Sequence, residues 1–271
     1  LLAGTLYAVC LSACDAKEPL SENRDAEIES PVIANDLSNQ KVTAIAEDTQ
    51  GHIWIGTFRG LNKNNVHDYH QYFCTDDSLG LPDNQITHLL RDSKNRFWVG
   101  TVNGVCLYTD KDNFRIIPIE ADNKNVRQIL EDRNGRIFLN TGFQLYAYHP
   151  REEKITCVLP EISPGNAFYA QCHIAPDNNL WVMTSTGLRC YDPSTLQLKE
   201  SVALSGYPYY SYLHNNELWI TGNHTLSIFD TRTRSFKPLP QPIARNTTLC
   251  NADIDYIHPR ASPPTATTAC C

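Results

Sequence analysis

Catalytic signatures are what this 271-residue sequence most clearly lacks. It holds no G-x-S-x-G elbow, no Walker loop and no H-E-x-x-H, and no Ser, His and Asp set can be brought together from spacing alone. No cofactor motif is found, so no cofactor is expected and no catalytic residue is named. Basic runs are missing too. Lys and Arg number 23 against 30 Asp and Glu, a net charge of −7, with no cationic stripe along any predicted element. Phosphate backbones are gripped by clustered Lys and Arg, so a nucleic-acid partner is disfavoured. No apolar run reaches the roughly 20 residues that a membrane helix needs. Six cysteines away from the termini, Cys74, Cys106, Cys157, Cys172, Cys190 and Cys250, form no C-x-x-C pair. They fall singly in apolar, strand-like runs and are expected to be mostly buried thiols rather than a disulfide framework.

What is present is enough apolar material for a core: 41% hydrophobic against 20% charged residues. The chain opens on LLAGTLYAVCLSAC, apolar and small, and continues as DAKEPLSENRDAEIES, polar and acidic. Residues 1–14 are read as the remnant of an export signal, the sequence starting inside it. Leu11-Ser12-Ala13-Cys14 resembles a bacterial lipobox, which makes Cys14 a lipidation candidate; ordinary cleavage near Ala13 is the alternative. Residues 15–34 read as a polar linker, 35–258 as the folded domain, and 259–271 as an aberrant tail rich in Pro, Ala and Thr. The expected location is the periplasm or the outer face of a bacterial membrane. Membrane attachment would come only through an N-terminal lipid or through segments C-terminal to this sequence.

Aligned on its aromatics, the chain shows about five copies of one unit, with anchors at Trp54, Trp98, Phe138, Trp181 and Trp219. Their separations are near 40 residues, with no helical stretch between them. Each unit reads as four strands. The first is apolar on both faces, as at Val42–Ala46, Ile86–Leu90 and Val126–Leu130. A polar turn follows, Asp48–Gly51, Asp92–Asn95 and Asp132–Gly135, whose last residue supplies the positive φ of a tight hairpin. The second strand carries the anchor. The third begins at a Gly-Leu or Gly-Val step and ends near an aromatic such as Tyr108, Tyr146, Tyr191 or Phe229. The fourth is an outer edge, at Tyr69–Phe73, Phe114–Ile117, Lys154–Val158, Leu196–Lys199 and Phe236–Leu239. The fold class is all-β: a β-propeller of four-stranded antiparallel blades, about five with a partial sixth opening at Asp253. An incomplete seven-bladed ring is the other count.

Residues 37–65, LSNQKVTAIAEDTQGHIWIGTFRGLNKNN, resemble the two-component regulator propeller repeat. NRFWVGTVNGV repeats the pattern, and the later units depart from it: Phe138 stands for Trp, and Asn140 and Met183 stand for Gly. The resemblance implies the periplasmic sensor region of a hybrid two-component kinase of the Bacteroidetes type, one that detects polysaccharide breakdown products. The kinase itself lies outside the residues present, so no enzyme activity is expected of them.

If the first strands line a central channel, their starts share one rim with the loops between strands two and three. That rim carries the ligand-binding candidates Arg59, Asn103, Arg127, Phe143, Tyr169, Tyr209 and His224, together with Phe58, Asn84, Gln85, Val102, Asn125, Gly142, Ser185, Thr186, Tyr210 and Asn223. Aromatic faces and amides suit sugars, so an oligosaccharide or another small ligand is the expected partner. Packing between blades is the plainer role for any one of these aromatics. No metal is expected. His67 and His70 lie three apart in a strand-like run and face opposite ways. Glu47-Asp48 and Glu131-Asp132 recur at one point of successive units, which marks hairpin chemistry rather than acid–base work. A lyase or hydrolase on a propeller scaffold is the alternative function. A protein-interaction disc is a further one, and a homodimer through a blade edge is compatible with it.

Overall fold

In a computed structural model, residues 32–65, 67–75, 80–109, 112–162, 170–223 and 225–241 are described. They form five antiparallel sheets. The first holds β1 (Val32–Ala34), β2 (Val42–Glu47), β3 (Ile53–Thr57), β4 (Gly60–Asn65) and β5 (Asp68–Tyr72), in the order β1-β5-β4-β3-β2. The second runs β6 (Ile86–Arg91), β7 (Phe97–Thr101), β8 (Gly104–Tyr108) and β9 (Phe114–Ile117). The third runs β10 (Gln128–Glu131), β11 (Ile137–Asn140), β12 (Leu145–His149) and β13 (Lys154–Leu159). The fourth runs β14 (Gln171–Ile174), β15 (Leu180–Thr184), β16 (Gly187–Tyr191) and β17 (Leu198–Ala203). The fifth runs β18 (Pro208–His214), β19 (Glu217–Gly222), β20 (Thr225–Asp230) and β21 (Ser235–Lys237). Each sheet packs on the next through the core, and all five inner strands or their flanks reach one cavity. That is the radial arrangement of a β-propeller. Among the described residues no helix is long and apolar enough to cross a membrane.

Several boundaries differ from the expected ones, the outer strands β5, β13 and β21 by one or two residues at an end, and three further differences have a visible cause. Val32–Ala34, expected in the polar linker, adds a fifth strand to the first sheet by pairing with Tyr69–Gln71. The third inner strand starts at Gln128 rather than Val126, because the Val126 amide instead donates to the Thr101 carbonyl of the preceding sheet. The fourth outer strand starts at Leu198, since Leu196 closes its turn with φ 58°. Residues 1–31, with Cys14, and residues 242–271, with Cys250, lie outside the described residues, as do Tyr169 and His224.

The five anchors hold one register position. Trp54 lies opposite Ala46 and Lys63, Trp98 opposite Leu90 and Leu107, Phe138 opposite Leu130 and Ala147, Trp181 opposite His173 and Cys190, and Trp219 opposite Tyr212 and Ile228. Three of them meet an aromatic ring of the following sheet: Trp54 meets Phe97 at 5.0 Å, Trp98 meets Tyr148 at 4.9 Å and Trp181 meets Phe229 at 5.2 Å. Trp219 is only half-buried, with no described sheet after it. On the opposite end face, Ile45 is 65% exposed, whereas the corresponding faces of later sheets are covered by their predecessors.

The turn carboxylates explain why the anchors sit so firmly. Asp48 Oδ1 accepts the Gln50 and His52 amides, and its Oδ2 accepts the Trp54 indole N–H at 2.9 Å. Asp92 repeats this with Lys94, Arg96 and Trp98, the last at 2.8 Å. Asp132 holds its own turn in the same way and takes Arg136 Nε at 2.9 Å where the Trp is replaced by Phe138. Gly51, Asn95 and Gly135 close these turns with positive φ, as the hairpins require. Glu131 Oε2 accepts the Ser93 amide of the preceding sheet. These acids are therefore structural.

The glycine two residues after the anchor has a packing reason. A Cβ on Gly56 would lie 2.5 Å from Ile86 Cγ2 of the next sheet. In the third sheet Asn140 occupies that place and uses it differently, its amide donating to the Ala170 carbonyl of the fourth sheet.

Among the described residues three of the five cysteines are buried thiols, as expected for the majority. Cys106, Cys172 and Cys190 are buried, but Cys74 and Cys157 are exposed, because Cys157 sits on the outer strand β13 and Cys74 follows the outer strand β5.

Candidate functional site

At the ends of the inner strands lies a cavity of about 510 Å³ into which every sheet places residues. The first sheet contributes Thr43 and Phe58, the second Gln85, Ile86, Thr87 and Val102, and the third Asn125, Arg127 and Gln128. Ala170 and Gln171 come from the fourth sheet, Tyr209 and Tyr210 from the fifth.

The hairpin loops at this rim are locked from below by a threonine three residues after each of the first four anchors. Thr57 Oγ1 donates to the Gly60 carbonyl at 2.8 Å and accepts the Arg59 amide. Thr101 does the same for Gly104 and Asn103. Gly60 and Gly104 complete these two-residue loops at φ 111° and 132°, conformations that favour glycine. Phe58 and Val102 are thereby held over the cavity on rigid loops, and Lys41 Nζ sits 3.7 Å from the Phe58 ring centroid.

Lower down, side chains join neighbouring inner strands. Gln128 Oε1 accepts the Cys172 amide at 2.9 Å, and Gln171 Oε1 accepts the Ser211 amide at 2.5 Å. Thr87 Oγ1 donates to the Val126 carbonyl. His173 Nε2 lies 2.8 Å from Ser211 Oγ. Burial pushes the His173 imidazole down to about 4. His88, facing Ile129, is also pushed to about 4 by burial, which outweighs a backbone hydrogen bond that favours its charge.

Two wall atoms stand out. Thr43 Oγ1 and Asn125 Oδ1 are buried and have no hydrogen-bond partner among the described residues. Buried polar groups are nearly always paired, with protein or with water, so an orphan in a cavity wall marks a place where a ligand or water completes the bonding.

Of the residues singled out by sequence, Arg127 and Tyr209 come together in this wall, with Phe58, Gln85, Val102, Asn125 and Tyr210 of the same rim. Arg59, Asn103 and Phe143 are exposed on loops between second and third strands and do not line the cavity. Tyr169 and His224 lie outside the described residues. Sequence reasoning missed Thr43, Thr87, Gln128 and Gln171, because the inner strand was treated as sandwiched between blades throughout. The available signal was a polar residue recurring near the start of each such strand.

A second cavity, of about 400 Å³, lies between the first and second sheets near Lys63, Arg91 and Asp112. Both of its acids are internally engaged: Asp48 by its own turn and the Trp54 indole, and Asp112 by the Tyr72 and Tyr108 hydroxyls, which donate to its Oδ1 at 2.7 and 2.9 Å. Burial works against the Asp112 charge, but these two donors and nearby Lys63 hold its carboxyl below the ordinary range. Among the described residues no group of three or more His, Cys, Asp and Glu side chains could hold a metal ion.

The profile of the two-component regulator propeller family matches residues 36–59 and 80–103, the first two hairpins and their lead-ins. Among solved structures, the extracellular domain of the hybrid two-component system BT3049 from B. thetaiotaomicron is similar at 18% identity and TM-score 0.53, over 84% of this chain and 39% of that one. The extracellular domain of the BT4673 system from the same organism is 15% identical at TM-score 0.47, over 77% of this chain and 37% of that one. This chain therefore spans less than half the length of those two-component domains. Virginiamycin B lyase from Staphylococcus aureus is 18% identical at TM-score 0.59, over 79% of this chain and 75% of that one. Curated protein sequences give no match. The chain thus carries two-component regulator propeller repeats at residues 36–59 and 80–103, set in a β-propeller fold.

Proposed function

We propose that this chain is the extracytoplasmic ligand-sensing propeller of a two-component, hybrid histidine kinase signalling protein, and that the axial cavity takes an oligosaccharide. The observation that carries this reading is the cavity wall. Five sheets contribute amides, hydroxyls and aromatic rings, two of its polar atoms are orphaned, and the volume fits a small ligand. Sugars present hydroxyl groups for such amides and C–H faces for such rings. A wall shared by all sheets also couples occupancy to their relative placement, which a sensor needs in order to report binding.

The test is thermal. Purified chain is mixed with neutral and acidic oligosaccharides, and the melting temperature is followed; ligand at 100 times its Kd stabilises by about 2.7 kcal/mol. A rise that is lost in Tyr209→Ala and Asn125→Ala, both of which should still fold, supports the axial site. No rise with any saccharide sinks it.

The lyase reading has one observation in its favour, the fold likeness over 75% of virginiamycin B lyase. None of the described residues lining the cavity is Asp, Glu, His or Cys, and His224, the rim histidine named from the sequence, lies outside the described residues. Turnover abolished by His224→Ala would establish it.

A further inference from the structure

We infer that the ligand of the axial cavity carries an acetamido substituent, as N-acetylated amino sugars do, with its N–H given to Asn125 Oδ1 and its methyl laid against Val102. This rests on the reading of that cavity as an oligosaccharide site and adds the substituent to it.

Asn125 Oδ1 is a buried carbonyl oxygen of a wall residue, with no hydrogen-bond partner among the described residues. A carbonyl oxygen can only accept, so whatever completes it must bring a donor. The residue that carries it is fixed in place. Its own amide donates to Asn123 Oδ1 at 3.0 Å, and the next amide, of Val126, donates to the Thr101 carbonyl at 3.0 Å.

That second bond also sets an aliphatic neighbour beside the acceptor. Val102 follows Thr101 as Asn125 precedes Val126, and the Val102 amide is itself held by the Gln85 carbonyl at 3.2 Å. Both side chains are half-buried in the cavity wall. The joint between the second and third sheets therefore offers an acceptor and an apolar surface side by side. A hydroxyl group would satisfy the oxygen and leave Val102 against a polar ligand. An acetamido group answers both, because its planar trans amide puts the N–H and the methyl on one edge, away from the carbonyl.

The other orphan differs in kind. Thr43 Oγ1 is a hydroxyl, able to donate or accept, and suits a ring hydroxyl of the same ligand. Thr87, which holds the same register position one sheet on, gives its hydroxyl to the Val126 carbonyl instead. Phe58, 38% exposed at the rim, presents a ring to the C–H face of a sugar.

The experiment uses two matched pairs on the full chain by calorimetry: N,N′-diacetylchitobiose against cellobiose, and N-acetyllactosamine against lactose. Within each pair only hydroxyl and acetamido are exchanged. The acetamido members should bind about threefold to tenfold more tightly, from burial of the methyl beside a completed hydrogen bond. Val102→Ser should shrink that preference. Asn125→Leu should abolish it and weaken binding about tenfold, whereas Asn125→Asp, which keeps an acceptor at the same place, should retain it. Equal affinities within both pairs, a preference that survives Val102→Ser and Asn125→Leu, or its loss in Asn125→Asp would overturn the acetamido assignment and leave the oligosaccharide site standing. Binding of none of the four overturns the assignment as well, and the site itself falls only if no saccharide of the wider thermal panel raises the melting temperature.

Discussion

Replacing Ala175 by Asp is expected to stabilise the protein, and the repeat supplies the reason. Ala175 occupies the seat of Asp48, Asp92 and Asp132. Its amide donates to the Asn179 carbonyl at 2.9 Å and its carbonyl accepts the Asn178 amide at 2.8 Å, as Asp92 does with Arg96 at 3.0 Å and Asn95 at 2.9 Å. The anchor follows six residues later in every case. In the first two sheets the Asp carboxylate takes the indole N–H at 2.9 and 2.8 Å. In the fourth sheet the alanine has no acceptor to offer, and Trp181 Nε1 is buried with no partner among the described residues.

A buried donor left unmade costs about 1–3 kcal/mol. An Asp at 175 would satisfy it and cap the amides of Asp177 and Asn179. Two effects oppose the gain. The new charge must be desolvated, and Asp177 already takes the Asn179 amide at 3.0 Å and would repel a second carboxylate. The parent site shows how the balance falls. Burial works against ionisation at Asp48, yet the Trp54 indole and the His52 and Gln50 amides hold its carboxyl below the ordinary range. We expect a net gain of about 1 kcal/mol, or about 2–4 °C in Tm for a domain of this size. Urea unfolding of wild type, Ala175→Asp, Trp181→Phe and the double variant closes the cycle. The gain should fall by about 1 kcal/mol when the indole is gone. An equal gain with and without the indole would refute the reasoning.

Gly56→Ala should cost about 1–3 kcal/mol, because its Cβ would meet Ile86 Cγ2 at 2.5 Å, and the cost should be smaller in an Ile86→Ala background, which lacks that methyl, in a double-mutant denaturation cycle. Gly100→Ala, whose nearest contact would be Val126 Cγ1 at 3.1 Å, should cost less. Stability should be complete above about pH 6.5 and fall as pH drops toward about 4, because His88 and His173 are held near 4 in the fold and bind protons more readily when unfolded. The slope is at most about 1.4 kcal/mol per pH unit for each His, and His173→Gln should flatten it in urea titrations at stepped pH. A thiol reagent should modify the exposed Cys157 in the native protein, while Cys106, Cys172 and Cys190 react only on unfolding. Burial raises Cys172 to about 12 and Cys190 to about 11, and mass spectrometry of peptides reads the result.

The architecture was legible because it is repeated. One tryptophan fixes nothing, but Trp54, Trp98, Phe138, Trp181 and Trp219 at one spacing fix strand, face and register together. Even the degenerate Phe138 keeps its seat: Asp132 loses the indole donor but retains the arginine contact that Asp92 makes beside its tryptophan, Arg136 Nε at 2.9 Å against Arg96 Nε at 2.6 Å. Outer strands were less legible. Leu198–Ala203 runs past its expected end because edge strands are set by pairing with the strand inside them, not by their own pattern. The extra strand Val32–Ala34 has no counterpart in the other units, so the repeat could not announce it. The site was half legible. Loop chemistry pointed to the correct rim, but which rim residues turn inward depends on how far each sheet is rotated about the axis, and no residue encodes that alone. Phe143 and Asn103 were chosen by the same rule as Tyr209 and fall outside the wall.

The wall residues also divide by what they are already doing. Gln128 and Gln171 spend their carbonyl oxygens on the Cys172 and Ser211 amides of the next sheet, so their identity is fixed by the joint between blades. Thr87 is committed to the Val126 carbonyl in the same way. What remains for a ligand is the upper tier: Thr43 Oγ1 and Asn125 Oδ1, whose bonding is not completed among the described residues. Ligand specificity can therefore change in that tier without loosening the joints below it. A substitution in the lower tier, such as Gln171→Leu, removes the acceptor of the Ser211 amide and should lower stability and affinity together. A substitution at Asn125, whose Oδ1 has no partner among the described residues, should change affinity with little change in stability. Finding the two tiers inseparable in denaturation and binding measurements would mean that the cavity is an accident of packing rather than a site.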